Sequence, residues 1–302
     1  MARIAYINGR YLPLSMAAVP IEDRAFLFAD GVYEVCEVRD GALIDEERHL
    51  RRLARSLREL RIAAPMSEAA IGTILREVVR RNRVRDGMVY LQITRGVAKR
   101  NHAFPAAGTP PTVVATAYAS DPAAIEKKAA AGISIITVPE TRWARVDIKT
   151  VSLLPNVLAR QAALDAGKAD AWFVNAAGEV TEAAASNAWI VTGGGEVVTA
   201  PADDGVLRGV TRMVLIDHLA SNGLRLVERR FSLEEALGAK EAFMTSATSA
   251  VLPVVSIDGR PIGDGKPGPV SRQLRTLLRS SPAKSARYAG ALRDTPSDVI
   301  PS

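Results

Sequence analysis

The 302-residue sequence predicts an α+β protein in two domains, and three observations carry that prediction. Hairpin signals and amphipathic helical stretches occur together along the chain. They fall in two blocks separated by the run "ASDPAAIEKK", which has few bulky apolar side chains and reads as a connector. No internal repeat is present, so solenoid architectures are set aside. The expected boundaries are 1–120 for a small N-terminal α/β domain, 121–282 for a larger C-terminal domain and 283–302 for a polar, poorly ordered tail.

Asn8-Gly9, Asp40-Gly41 and Asp258-Gly259 each lie between apolar alternations, where a type I′ turn favours Asn or Asp followed by Gly. "GVYEVCEVRDGALI" is therefore a hairpin with Tyr33, Val35 and Glu37 on one face of its first strand. An amphipathic helix follows with Leu50, Leu53, Leu57 and Leu60 in line, and Ser67 caps a second helix. "GMVYLQITRG" and "PTVVATAY" are strands flanking the polar loop "VAKRNHAFPAAGTPP". Beyond the connector, "GISIITVP" is a strand and "PNVLARQAALDAG" a helix closed at Gly167. "AWFVNAAGEVTEAAASNAWIVTGGG" reads as a strand, a turn and a second strand. "GVTRMVLIDHLASNG" is a helix ending at Gly223, and Ser232 with Glu235 forms a capping box. "AFMTSA" and "VLPVVSI" complete the strands.

Composition narrows the function classes. With 48% apolar and 24% charged residues the chain is that of a globular protein. One cysteine, Cys36, excludes an internal disulfide framework and fits a reducing cytoplasm. The N-terminal "MARIAYINGRYLP" has no apolar signal region, and no apolar run is long enough to span a bilayer, so neither export nor a membrane partner is expected. The net charge of +6 comes mostly from arginines interleaved with glutamates, as in "EERHLRRLARSLRELRI". With 5% aromatics and no nucleic-acid motif, that pattern reads as a solvated surface, not a nucleic-acid face. His49, His102 and His218 are scattered, so no metal site is expected. "GGG" at 193–195 is a turn, lacking dinucleotide-binding spacing.

Lys149 stands out in "WARVDIKTVSLLPNVLARQ", flanked by Ile148, Val151, Leu153 and Leu154. Taken alone, a lysine whose stem packs while its ammonium reaches water is the plainer reading. The alternative is a desolvated amine that loses its proton and attacks a carbonyl. Glu182, among small residues in "EVTEAAASNAWIV", is either a turn glutamate or the partner of a protonated ring nitrogen. Gly209, Val210 and Thr211 open a helix whose first N–H groups either are ordinarily capped or suit a phosphate, with Arg52 either its counter-charge or one more surface arginine. Arg100 and His102 sit in a loop that can hold a carboxylate on the arginine's fork.

In this order the motifs resemble those of the fold-type IV pyridoxal-phosphate enzymes, and within them the bacterial D-amino acid aminotransferases. The similarity runs from residue 3 to about 280 through "EDRAFLFADGVYE", "HLRRLARSL", "YLQITRGVAKRNHAFP", "RWARVDIKTVSLLPNVLARQ", "VTEAAASNAW", "LRGVTR" and "AFMTSATSAVLPV". The resemblance implies pyridoxal 5′-phosphate in an interdomain cleft, a homodimer, and amino acids and 2-oxo acids as substrates. It makes Lys149 the Schiff-base and catalytic lysine and Glu182 the partner of the ring nitrogen. Arg52, Val210 and Thr211 are implied to hold the phosphate, and Leu207 to pack on the ring. Tyr33, Arg100 and His102 are implied to meet the substrate, the last two from the other subunit. Ala183, Ala184, Ala185 and Ala247 depart from the family's usual glycine, serines and threonine. A branched-chain L-aminotransferase, an (R)-amine transaminase and an aminodeoxychorismate lyase share this fold and stay open as alternatives.

Overall fold

The computed structural model describes residues 3–280; the tail expected at 283–302 lies outside them. An antiparallel six-stranded sheet uses the N-terminal block alone, in the order Arg10–Pro13, Ile4–Ile7, Thr112–Ala119, Gly87–Thr94, Gly31–Arg39, Ala42–Leu43. Its hairpins turn as their sequences require. Asn8 and Gly9 take φ of 44° and 90°, and Asp40 and Gly41 take 49° and 80°, the left-handed pair of a type I′ turn.

Along Gly31–Arg39 the side chains alternate: Val32, Glu34, Cys36 and Val38 are buried, while Tyr33, Val35 and Glu37 are half-buried on the opposite face. Helices Glu46–Glu59 and Glu68–Asn82 cover the buried face. Leu50, Leu53 and Leu57 from the first and Leu75 and Val78 from the second pack with Val32, Cys36, Val89, Leu91 and Ile93. Ser67 caps the second helix as expected, accepting from the Ala70 N–H at 3.3 Å.

A second, ten-stranded sheet takes all its strands from Ile133–Pro139 onward. The run expected as a connector is itself helical, Pro122–Ala131. Asp121 caps it, proline occupies its first turn and alanines propagate it. Residues 171–195, expected as two strands, form three: Asp170–Val174, Glu179–Ala183 and Asn187–Val191. The extra break is a turn closed by the Ala183 N–H on the Ser186 carbonyl at 2.8 Å. It sends the third strand to pair with Glu241–Ser246 instead of its predecessor.

The helix Pro269–Ser280 has no counterpart in the sequence reading. Its first N–H groups, of Val270 and Ser271, donate at 2.8 Å to the Glu241 carboxylate, a cap from a distant strand. Arg279 then reaches Glu37, and Arg275 reaches Glu126, so this helix ties the second sheet to the first and to the intervening helix.

Leu53 sits at the centre of the N-terminal core with 1% exposure. Leu53→Ala should lower unfolding free energy by about 2–5 kcal/mol in denaturant titration, a cavity-forming loss.

Candidate active site

The two sheets meet around a cavity of about 270 Å³. Tyr33, Arg52, Lys149, Glu182, Leu207, Val210 and Thr211 all line it. Arg100 and His102 do not.

Lys149 is half-buried in the segment after Ile133–Pro139, outside regular structure. That segment lies along the first sheet: the Tyr33 N–H donates to the Lys149 carbonyl at 3.0 Å, and the Val151 N–H donates to Gly31 at 3.1 Å. Ile148, the preceding residue, is buried in the N-terminal core. Lys149 Nζ lies 4.1 Å from the centre of the Tyr33 ring, within cation–π range.

Glu182 projects from Glu179–Ala183. Its Oε2 accepts from the Leu207 N–H at 3.1 Å and from Asn187 Nδ2 at 3.2 Å, and its Oε1 accepts from Arg142. Burial pushes this carboxyl above the usual carboxylate range; Arg142 and Lys149 pull against that. Asn187 also donates to the Leu207 carbonyl at 2.8 Å, so one amide fixes both the acid and the loop over it.

At another wall, Arg52 lies under the N-terminal sheet and not on the surface. Its Nε and Nη2 both donate at 2.7 Å to the Glu34 carboxylate, a bidentate pair, and Nη1 donates to the Arg208 carbonyl at 3.1 Å. Burial alone would raise the Glu34 carboxyl, but Arg52, helped by His49, holds it down to about 2. An ionised carboxylate only accepts, so His49 Nδ1, 2.8 Å from Glu34 Oε2, carries the hydrogen. The Arg208 carbonyl precedes Gly209, the N-cap of helix Val210–Ser221, whose first N–H groups have no side-chain cap. A Cβ at residue 209 would collide with Asn187 Oδ1, which is why glycine stands there.

The cavity thus joins a lysine amine, a buried anion and, elsewhere on its wall, an arginine beside an uncapped helix start. These are the contacts a pyridoxal phosphate needs: an amine for the aldehyde, an anion for the ring nitrogen and N–H donors for the phosphate. The chain belongs to the amino-transferase class IV family, whose model matches residues 31–257. It has the α+β fold of the fold-type IV enzymes, which use pyridoxal 5′-phosphate, and is an aminotransferase. It is 40% identical over 274 residues to a D-alanine aminotransferase of Bacillus licheniformis, covering 91% of this chain and 95% of that one. To a D-alanine aminotransferase of Staphylococcus haemolyticus it is 36% identical, covering 89% and 94%. Among solved structures it resembles a T.th. branched-chain amino acid aminotransferase with pyridoxamine 5′-phosphate, with TM-score 0.84, 26% identity, and 92% and 93% of the two chains covered.

Arg100 and His102 are exposed on the loop before the last strand of the first sheet. Both meet Phe28: Arg100 lies 5.3 Å from the ring centre and the His102 ring lies 5.3 Å away. Arg24, paired with Asp30, donates to the carbonyls of Asn101 and Ala103 at 2.7 and 3.2 Å and so fixes the loop's course. Sequence reasoning missed Glu34, His49, Arg142 and Asn187. For Glu34 a signal existed, an acid on the apolar face of an alternating strand. Arg142 offered none, because its partners are Glu140 beside it and Glu182 far along the chain.

Glu34 titrates lower folded than unfolded, where a glutamate sits near 4.3. Its stabilising contribution is therefore complete above about pH 4.5 and is lost as pH falls toward 2. Glu34→Gln should be less stable at pH 7 and should show a shallower loss of stability than the parent between pH 4.5 and 2, read by denaturant midpoints.

Proposed function

We propose that the protein transaminates D-amino acids of the D-alanine type, with a 2-oxo acid such as 2-oxoglutarate or pyruvate as acceptor. The observation that carries this reading is the single cavity shared by Lys149, Glu182, Arg52 and the helix start at Gly209. The D-alanine enzymes at 40% and 36% identity support the choice of enantiomer. A branched-chain L-aminotransferase fits less well, since its resemblance is 26% in sequence.

Bound pyridoxal 5′-phosphate supplies an electron sink for the carbanion left when an amino acid loses its Cα proton. Arg52 Nη1 and the Val210 and Thr211 N–H groups would hold the phosphate, and Leu207, whose N–H donates to Glu182, would pack on the ring. Glu182 keeps the ring nitrogen protonated. Lys149 Nζ would act as general base for the Cα proton and would carry that proton for its return later in the reaction. Tyr33 lines the amine's approach, and Arg100 with His102 binds the substrate carboxylate.

That last role needs a second copy of the chain. Support comes from the surface: Leu154, Val157, Leu158 and Leu164 are exposed along one side of helix Leu154–Asp165, and Ile21 and Phe26 are each 79% exposed. The apolar stripe on that helix suits an interface, and a homodimer would bury it while presenting Arg100 to the partner's cavity. The reading also takes residues 1–120 and 121–282 as two domains, since each sheet draws its strands from one side of that boundary. A cytoplasmic setting completes it, supported by the single, free and buried Cys36.

The cofactor-loaded protein should change its absorbance on addition of D-alanine but not L-alanine, and Lys149→Ala should lose about 10²–10⁴-fold or more in rate. Activity confined to L-leucine would sink the proposal. A mixture of K149A and R100A proteins, each inactive alone, should regain activity after subunit exchange, because a hybrid site takes Lys149 from one chain and Arg100 from the other. No recovery in verified hybrids would place Arg100 outside the partner's site.

A further inference from the structure

Glu182 does not have Arg142 to itself. The Arg142 side chain is 3% exposed and lies between two carboxylates, with its guanidinium 4.6 Å from the centre of the Phe173 ring. Glu140 takes the larger share: it accepts from Arg142 Nε at 2.8 Å, from Nη2 at 2.5 Å and from the Arg142 backbone N–H at 3.0 Å. The Thr181 hydroxyl donates to Glu140 Oε2 at 2.6 Å, which fixes that carboxylate in turn. Glu182 receives one Arg142 donor, Nη1.

Burial makes the charge count consequential. Two carboxylates share one guanidinium, so with both ionised this cluster carries one net negative charge. Lys149 is a further cation whose field reaches Glu182, and as a neutral base it would contribute nothing. What remains to balance the cluster is a cation seated against Glu182 in the cavity. Arg142 keeps Glu140 below the usual carboxylate range despite burial, so the second anion persists at neutral pH.

We propose that Glu140 is a positioning residue which, by drawing Arg142 to itself, leaves Glu182 short of counter-charge and so holds the proton on the cofactor's ring nitrogen. This rests on the cofactor reading above. Without Glu140, Arg142 and Glu182 form a neutral pair and the ring nitrogen loses part of its reason to stay protonated. Removing one charge at this range, through an effective dielectric near 20, corresponds to about one to two pH units.

The test uses the full chain loaded with pyridoxal phosphate labelled with ¹⁵N in the ring, and follows the nitrogen shift against pH. Glu140→Gln should move the ring nitrogen's titration down by about one to two units, and Glu140→Ala is the second charge-removing variant should the first not fold. Glu140→Asp, which keeps the charge on a shorter stem, should titrate near the parent. In cofactor-free protein with ¹³C-labelled glutamate carboxyls, Glu182 should titrate lower in Glu140→Gln than in the parent. A parent protein that takes up no cofactor removes the functional reading and this proposal with it. Loaded Glu140→Gln titrating as the parent does overturns this proposal alone, as does a larger shift in Glu140→Asp than in Glu140→Gln, the mark of a packing role.

Discussion

Two backbone hydrogen bonds hold the site together: Tyr33 N–H to the Lys149 carbonyl and Val151 N–H to the Gly31 carbonyl. They fasten an irregular segment that leaves the second sheet onto Gly31–Arg39, the first strand of the hairpin at one edge of the other sheet. Everything the cavity contains is referred to that seam. Tyr33 and Lys149 share a backbone bond, which brings the lysine amine over the tyrosine ring. Arg55 and Arg145 both pair with Asp147, two residues before Lys149. The same arrangement explains why an apolar run surrounds a lysine: Ile148 is the anchor in the N-terminal core, and Lys149 is the neighbour that faces the cavity.

Charged groups in the walls follow one rule, that a buried ion is held by a partner and that both are held by further donors. Arg52 has Glu34, and Glu34 has His49. Arg142 has Glu140 and Glu182, and each of those accepts further bonds from Thr181, Asn187 or a backbone N–H. Such clusters add little net stability, because desolvation costs about as much as the pairing returns. Their effect is geometric: each functional group arrives with fixed orientation, and motion of one member requires breaking several bonds at once.

How much was legible in the sequence depended on the range of the determining interaction. Turns and caps are local, so Asn8-Gly9, Asp40-Gly41, Ser67 and Ser232 could be placed from a few residues each. Lys149, Glu182, Arg52 and Gly209 could be collected because their residue types are those that one cofactor chemistry requires, although each alone favoured a plainer reading. Helix Pro269–Ser280 carried a local signal, the stripe Val270, Leu274 and Leu278, while its cap, Glu241, comes from another strand and left no mark in the sequence around it. Pro122–Ala131 escaped because alanine supplies helical propensity without an apolar stripe, with Ala129 its one buried residue. Arg142 escaped for the strongest reason: its importance is a shared contact between Glu140 and Glu182, and no spacing rule records a charge divided between two acids.

The Glu34–Arg52 pair poses a physical conflict that the geometry resolves. A carboxylate on the arginine proposed to hold a phosphate dianion would cancel much of the attraction that arginine offers. Yet a guanidinium on a flexible stem must be immobilised before it can select a position, and that entropy is lost either on folding or on binding. Glu34 takes the Nε and Nη2 edge, leaving Nη1 as the donor toward Arg208, beside the helix start. Attraction is thus exchanged for placement. His49, donating to the same carboxylate, moderates the repulsion at the next atom out. The alanines at 183–185 belong to the same economy of fixed backbone. Ala183 and Ala184 bond through their main chains to Ser186 and Ala171, and the Ala184 carbonyl accepts from Asn156. The turn beside Glu182 is therefore shaped by peptide groups, and the family's hydroxyls are not needed to form it.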